Sequence, residues 1–400
     1  MKASLTRHGG DKGAYALARR LLCLGLVCAA SLGATAAATG HHSFTPAELQ
    51  QVLSLGPWPP PVQRDPSNRV SGQPLAVTLG RQLFRDPRMS PVGYIACVTC
   101  HQPDRAFTDH KARAHGLADL PRNTPTLANL SQQRWFGWGG GSDSLWMASI
   151  APILDPREFD GSAASVVQLF EREPALADCY REVFGTAPYA SPQRTVVNVG
   201  KALAAYVETL VTARTPFDDF RDALLRGDAI AGAATATATA SAYPGAAQRG
   251  LKLFVGAAGC VACHAGPNFS DGGFHRGSTT EGDAGRWQDA QRLKASTLNL
   301  AGPHNDEPNG KRAADTRRLV AQSSMRDHFR TPSLRNVSTS GPYLHDGAAG
   351  QLHDAVQHVG STSIPLVTSQ VQDLVAFLHT LTDRHGERRP WAGGELATCR

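Results

Sequence analysis

The sequence predicts a mainly α-helical protein in two related halves, on three observations. Apolar residues recur at helical spacing behind recognisable helix starts, strand-like alternation is scarce, and segments of the first half return in the second in one register. Four hundred residues exceed what one hydrophobic core usually serves, so two domains are expected. A hydrophobic content of 41% is ordinary for a soluble globular chain.

The chain opens on Lys2, Arg7, Lys12, Arg19 and Arg20 against a single acid, Asp11. An apolar run over 21–32 and the small residues Ala34-Thr35-Ala36-Ala37-Ala38 follow. That is the pattern of a secretory signal peptide, expected over 1–38, which directs the chain to the periplasm. The run is short for a bilayer crossing, and no later segment is long enough, so no membrane span is expected after cleavage. Five cations against one acid account for most of the formal +6, and about +2 remains without the leader. The basic balance therefore gives no reason to expect a nucleic-acid partner.

Thr45-Pro46-Ala47-Glu48 reads as a capping box with proline in the first turn, and predicts a short helix to about Leu55. A proline-rich stretch over 56–61 ends it. Ser191-Pro192 opens a longer helix in which Val199, Leu203, Tyr206 and Leu210 share a face. Val371, Leu374, Val375, Leu378 and Leu381 mark another near the end. Alanine, threonine and glycine dominate 227–245, a low-complexity linker with little to bury. The expected division is 41–226, the linker 227–245, and 246–400.

The two halves repeat. Gly80, Leu83 and Phe84 answer to Gly250, Leu253 and Phe254; Thr124-Pro125-Thr126-Leu127-Ala128-Asn129 answers to Thr331-Pro332-Ser333-Leu334-Arg335-Asn336. The same offset pairs Trp138 with His345, Gly140 with Gly347 and Leu145 with Leu352. Internal duplication explains this economically.

Each half carries one Cys-x-x-Cys-His motif, Cys97-Val98-Thr99-Cys100-His101 and Cys260-Val261-Ala262-Cys263-His264. Two thiols at this spacing can each bond one vinyl group of a porphyrin, and the adjoining histidine then ligates the iron. A four-cysteine zinc site built from two knuckles leaves the histidine after each pair unexplained. The motifs thus predict two covalently bound c-type haems, one on His101 and one on His264, in two cytochrome c-like haem domains. Of the other cysteines, Cys23 and Cys28 lie in the leader, and Cys179 and Cys399 remain as a pair that an oxidising compartment permits.

Over about residues 70–382 the chain resembles the bacterial di-haem cytochrome c peroxidase and MauG family. The resemblance is carried by 79–90 (Leu-Gly-Arg-Gln-Leu-Phe-Arg-Asp-Pro-Arg-Met-Ser), Arg122-Asn123-Thr124-Pro125, Asp155-Pro156-Arg157-Glu158, 329–336 and Pro342-Tyr343-Leu344-His345-Asp346-Gly347. It implies a periplasmic oxidoreductase that reduces hydrogen peroxide at the N-terminal haem while the C-terminal haem relays electrons. The implied donor is a small soluble cytochrome c or cupredoxin, and a homodimer is the family's common state. Glu158 falls on the family's distal carboxylate, which moves a proton between the peroxide oxygens. Trp138 falls on the tryptophan between the two haems. Asn123, with the carbonyls of Ser340 and Pro342, falls on the interdomain calcium site, and hard oxygen donors suit Ca²⁺.

Three departures qualify the resemblance. Ala148 stands where the family has a distal glutamine. Pro152 keeps the first haem's sixth position open, but its repeat partner is Val359, where the peroxidases place Met and MauG places Tyr. Neighbouring His358 is the candidate substitute ligand there. His115 falls where the peroxidases carry a loop histidine that caps the first haem, with His110 as the alternative. Two other functions stay in view: MauG-like oxidation of a protein or small molecule, and electron transfer without catalysis.

Overall fold

The computed structural model describes residues 44–227, 243–277, 283–363, 365–383 and 398–399. The expected leader lies outside them, as does the expected linker 227–245 apart from Gly227 and residues 243–245. Thirteen α-helices and one small sheet are found among the described residues.

The opening helix, α1 (Pro46–Ser54), starts as its sequence predicts: the Thr45 hydroxyl accepts from the Glu48 amide at 3.2 Å, and the Glu48 carboxylate accepts from the Thr45 amide at 2.8 Å. Next come α2 (Pro74–Arg85), the single turn α3 (Cys97–Cys100), α4 (Leu145–Leu154), α5 (Ala163–Arg172), α6 (Pro174–Phe184), α7 (Pro192–Val207) and α8 (Pro216–Arg226). The long expected helix is α7; it ends before Leu210, whose amide caps the last turn through the Val207 carbonyl. Past the linker lie α9 (Gly245–Val255), α10 (Gly285–Ala295), α11 (Lys311–Arg318), α12 (Leu352–Ser363) and α13 (Thr368–His379). Strands β1 (Phe274–Arg276) and β2 (His328–Arg330) pair antiparallel, with His275 opposite Phe329.

Two crossings organise the packing. Gly80 on α2 lies directly against the Ala202 carbonyl and Tyr206 Cβ of α7; Gly250 on α9 lies in the same way against the Asp373 carbonyl and Phe377 Cβ of α13. A Cβ at either glycine would overlap that carbonyl, so only glycine lets the helix axes come so close. Around the first crossing, α2, α4, α5, α6 and α7 bury one core, including Phe84, Trp146, Phe170 and Tyr180. Around the second, Phe254, Phe269, Phe217 and Phe377 bury another.

The cores exchange elements across the linker. Val52 and Leu55 of the α1 region, with Phe217, Phe220 and Leu224 of α8, pack into the second core, although both segments fall within 41–226. Leu293, Leu300 and Ala313 pack into the first, although they follow the linker. One exchange is fixed by charge: fully buried Arg335 meets both carboxylate oxygens of Asp218 on α8 at 3.0 and 2.9 Å. The Cys179–Cys399 disulfide, Cα atoms 5.0 Å apart, ties the chain's end to α6 in the first core.

Candidate active site

In the first motif α3 makes one turn, in which the His101 amide donates to the Cys97 carbonyl at 2.9 Å. The His101 ring donates through Nδ1 to the Phe107 carbonyl at 3.0 Å, and Phe107 takes φ 59° to present it. Protonation at Nδ1 leaves the Nε2 lone pair as the ligating atom. The second motif repeats this geometry: His264 amide to Cys260 carbonyl at 2.9 Å, His264 Nδ1 to Phe269 carbonyl at 3.0 Å, Phe269 at φ 50°.

Burial holds both imidazoles below the ordinary histidine range, in the neutral form that binds metals. It also pushes the Cys97 thiol up to about 12 and those of Cys100 and Cys260 up to about 11. All four motif cysteines are free of disulfides. Paired thiols one turn apart beside an anchored, neutral imidazole fit a thioether-linked haem at each site.

Above the first motif stands Glu158, in a turn closed by its amide on the Asp155 carbonyl at 3.0 Å. The carboxyl is pushed up to about 7, first by burial and then by the Asp155 charge, against the opposing pull of Arg157. Arg157 itself pairs with Asp155 at 2.7 Å. One loop links Glu158 to the first motif, since His115 meets Cys100 and its neighbour Gly116 packs on the Glu158 backbone.

The loop carrying His115 covers Glu158. A Cβ on Gly116 would sit 2.6 Å from the Arg157 carbonyl and 2.8 Å from Glu158 Cα, and the Ala118 amide donates to the Arg157 carbonyl at 3.0 Å. The His115 carbonyl lies 3.9 Å from Cys100 Sγ. Its ring turns outward, with Nδ1 2.7 Å from Asp119 Oδ1 and a side chain 54% exposed. The alternative histidine, His110, faces the other half, with Nε2 3.1 Å from the Thr339 carbonyl.

Helix α4 buries Leu145, Trp146, Met147, Ile150 and Ile153 and leaves Ala148, Ala151 and Pro152 on its other face. None of these three side chains can ligate iron. On α12 the corresponding positions are Ala355, His358 and Val359; His358 is exposed and Val359 is 51% exposed.

Trp138 lies at the join of the halves. Its Nε1 donates to the Asn123 carbonyl at 2.9 Å, and its own carbonyl accepts from the Arg330 amide at 2.8 Å. The repeat-related bond runs from the Asn123 amide to the His345 carbonyl, also at 2.8 Å. Asn123 is buried, and its Nδ2 donates to the Lys111 carbonyl at 2.8 Å, leaving Oδ1 as its donor atom for a cation. Ser340 ends the turn that its hydroxyl closes on the Val337 carbonyl, and Pro342 follows in the same loop. Among the described residues, the acids, cysteines and histidines that gather tightly enough for a metal are Cys263, Asp271 and His275, a different set that includes a haem cysteine.

Sequence reasoning missed the interdomain charge cluster. Arg122 bonds Asp283 at 2.7 Å and Asp289 at 2.6 Å, while His345 stacks on Phe329 at 3.7 Å between ring centres. Only the repeat offers a signal, since it aligns Arg122 with Phe329.

The family model described as di-haem cytochrome c peroxidase matches residues 74–228. The methylamine utilization protein MauG of Methylorubrum extorquens is 34% identical over 322 residues, covering 77% of this chain and 78% of that protein. The cytochrome c551 peroxidase of Pseudomonas aeruginosa is 30% identical over 324 residues, covering 79% and 82%. Among solved structures, a MauG-like protein associated with microbial copper homeostasis superposes with a TM-score of 0.62 at 22% identity, over 83% of this chain and 97% of that one. At that identity the structure supports the fold alone.

Proposed function

The chain belongs to the di-haem cytochrome c peroxidase family, and on that premise we propose that it reduces hydrogen peroxide at the site of His101, with electrons relayed from the site of His264. The observation that carries the assignment is Glu158: a carboxyl near neutral proton affinity, beside the first motif, under the His115 loop. Haem, when bound, supplies the iron that takes peroxide and the electrons that split its O–O bond. Glu158 supplies the proton chemistry. At about 7 it accepts a proton from the inner peroxide oxygen and delivers it to the outer one near neutral pH. Ala148, Ala151 and Pro152 leave the approach on α4 without a competing ligand. Glu158→Gln is expected to slow the peroxide reaction of the haem-loaded protein by at least about 10²-fold in stopped flow. Two-haem protein inert to peroxide, both oxidised and half-reduced, overturns the reading.

Trp138 serves as the electron bridge, supported by its place between the halves. The two domains arose by duplication, supported by the paired glycine crossings, the paired histidine anchors and the reciprocal backbone bonds of Asn123 and Arg330. The second domain takes α1 and α8 as well as the chain after the linker, and the first takes 293–313. Calcium binds Asn123 Oδ1 with the carbonyls of Ser340 and Pro342, supported by the orientation of the Asn123 amide. His115 would cap the first haem in the resting protein once its ring left Asp119, and His358 would be a residue on α12 able to hold the second. The protein works in the periplasm as a dimer, drawing on a small soluble cytochrome c or cupredoxin; no described helix is long and apolar enough to cross a membrane.

The likeness to MauG favours a second reading, oxidation of a partner protein or small molecule, although Val359 lacks the Tyr that MauG places there. Peroxide-driven modification of a partner, faster than oxidation of reduced cytochrome c, selects it.

A further inference from the structure

Buried arginines in this protein meet carboxylates, with two exceptions. Arg335 has Asp218, and Arg122 has Asp283 and Asp289. Arg330, 4% exposed, donates through Nε to the Gly137 carbonyl at 3.3 Å and through a terminal nitrogen to the Thr331 carbonyl at 3.4 Å. Arg286, 3% exposed, donates to the carbonyls of Gly139 at 3.1 Å and Gly140 at 2.6 Å. Among the described residues neither has a carboxylate partner. Of the acids that Arg286 feels, Asp289 pairs with Arg122, and Asp143 binds the Leu300 amide and the Thr316 hydroxyl through Oδ2; its buried Oδ1 makes no hydrogen bond to Arg286.

An unpaired charge taken out of water costs several kcal/mol. Arg286 is sandwiched between Trp135 (4.5 Å) and Phe274 (4.2 Å), which returns about 0.5–2 kcal/mol, and Arg330 lacks even that. Burial pushes both guanidiniums down to about 10, whereas half-buried Arg122 is driven up by its two aspartates. Both unpaired cations converge on the loop 137–140 that carries Trp138. A haem fixed by thioethers on one edge carries two propionates on the opposite edge, and planar guanidinium forks match carboxylates.

We propose that Arg286 and Arg330 bind haem propionates at the Trp138 loop, and so act as positioning residues that clamp the electron bridge to the cofactors. This rests on the two-haem reading above. The donated carbonyls fix each guanidinium to the loop from one side, and the propionates hold it from the other.

The test uses full-length protein shown by absorbance to carry two covalent haems; protein without them would fail the haem assignment before this one is reached. Arg330→Gln and Arg286→Gln are compared with Arg292→Gln, whose side chain is 62% exposed. Potentiometric titration is expected to show a lower midpoint potential for at least one haem in each buried variant, because losing a nearby cation favours the more positive oxidised iron. Resonance Raman propionate-bending bands are expected to shift alongside, and Arg292→Gln to change neither. Unchanged potentials and bands in both buried variants overturn the proposal. Where a Gln variant does not accumulate, the Lys variant keeps the charge and loses the fork: its bending band is expected to shift, and an unchanged band overturns the proposal equally.

Discussion

Around His101 and His264 the backbone is nearly the same, with the amide on the first motif cysteine at 2.9 Å and Nδ1 on a positive-φ phenylalanine at 3.0 Å. The opposite faces differ. The first site has Glu158 and the His115 loop above it and Ala148, Ala151 and Pro152 on α4; the second has His358 and Val359 on α12. The motif side is fixed by main-chain carbonyls, whose positions do not depend on side-chain identity, and it is alike in both halves. The opposite faces are made of side chains that can change without unfolding the domain, and the proposed division of roles between the two sites rests on them.

The largest expected effect tests how far that asymmetry extends into the scaffold. Among the described residues a disulfide staples only the first core, closing a loop of 220 residues. Cys399→Ser should cost about 2–5 kcal/mol in denaturant unfolding. An unchanged midpoint would show that the bond adds nothing to the first core.

The helix crossings test the opposite claim, that the scaffolds are equivalent. Gly80→Ala and Gly250→Ala each force a methyl group against a backbone carbonyl, which cannot rotate away. Each should destabilise by about 1–3 kcal/mol or more, as overpacking does. A large loss from one and none from the other, in thermal unfolding, would break the comparison.

Glu158 separates the halves again, through pH. Its folded value of about 7 lies above its ordinary 4.5, so between these values the folded state binds more protons than the unfolded one. Stability therefore falls as pH rises from about 4.5 to about 7 and levels off beyond, by up to about 3 kcal/mol. Glu208, pushed up to about 7 chiefly by burial, adds a similar slope from the end of α7. Glu158→Gln should remove about half of the combined slope, and an unaltered stability–pH profile would mean that Glu158 is solvated.

What the sequence revealed follows the range of the interactions. The capping box of α1, the two Cys-x-x-Cys-His turns and the glycines at 80 and 250 are local or repeated, so they can be read from the chain alone. Arg335 with Asp218, 117 residues apart, and Arg122 with Asp283 and Asp289, 161 and 167 apart, leave no periodic trace. The exchange of α1 and α8 between cores was hidden for the same reason: their amphipathic faces show that something is buried, not against which half. Around Glu158 the motif supplied the residue, but its raised proton affinity comes from burial beneath the loop at Gly116, which only the folded chain displays.

The smallest effect concerns two histidine–aspartate pairs of equal length, one through Nδ1 and the other through Nε2. His115 meets Asp119 at 2.7 Å near Cys100, and His275 meets Asp271 at 2.7 Å near Cys263. Their backbones differ. His275 lies within β1, whose pairing with Phe329 of β2 fixes its backbone, and no capping role is proposed for it. His115 lies in a loop held through its neighbours, with its side chain largely exposed, so rotation about its side-chain bonds can redirect the ring. An exposed pair of this kind is worth about 0.2–1 kcal/mol. Asp119→Ala should therefore raise the six-coordinate low-spin fraction of the oxidised first site by up to about fivefold and slow its peroxide reaction comparably. Asp271→Ala should leave both haem spectra as they were. Equal responses to the two substitutions would place the distinction between the sites elsewhere than in these two histidine–aspartate pairs.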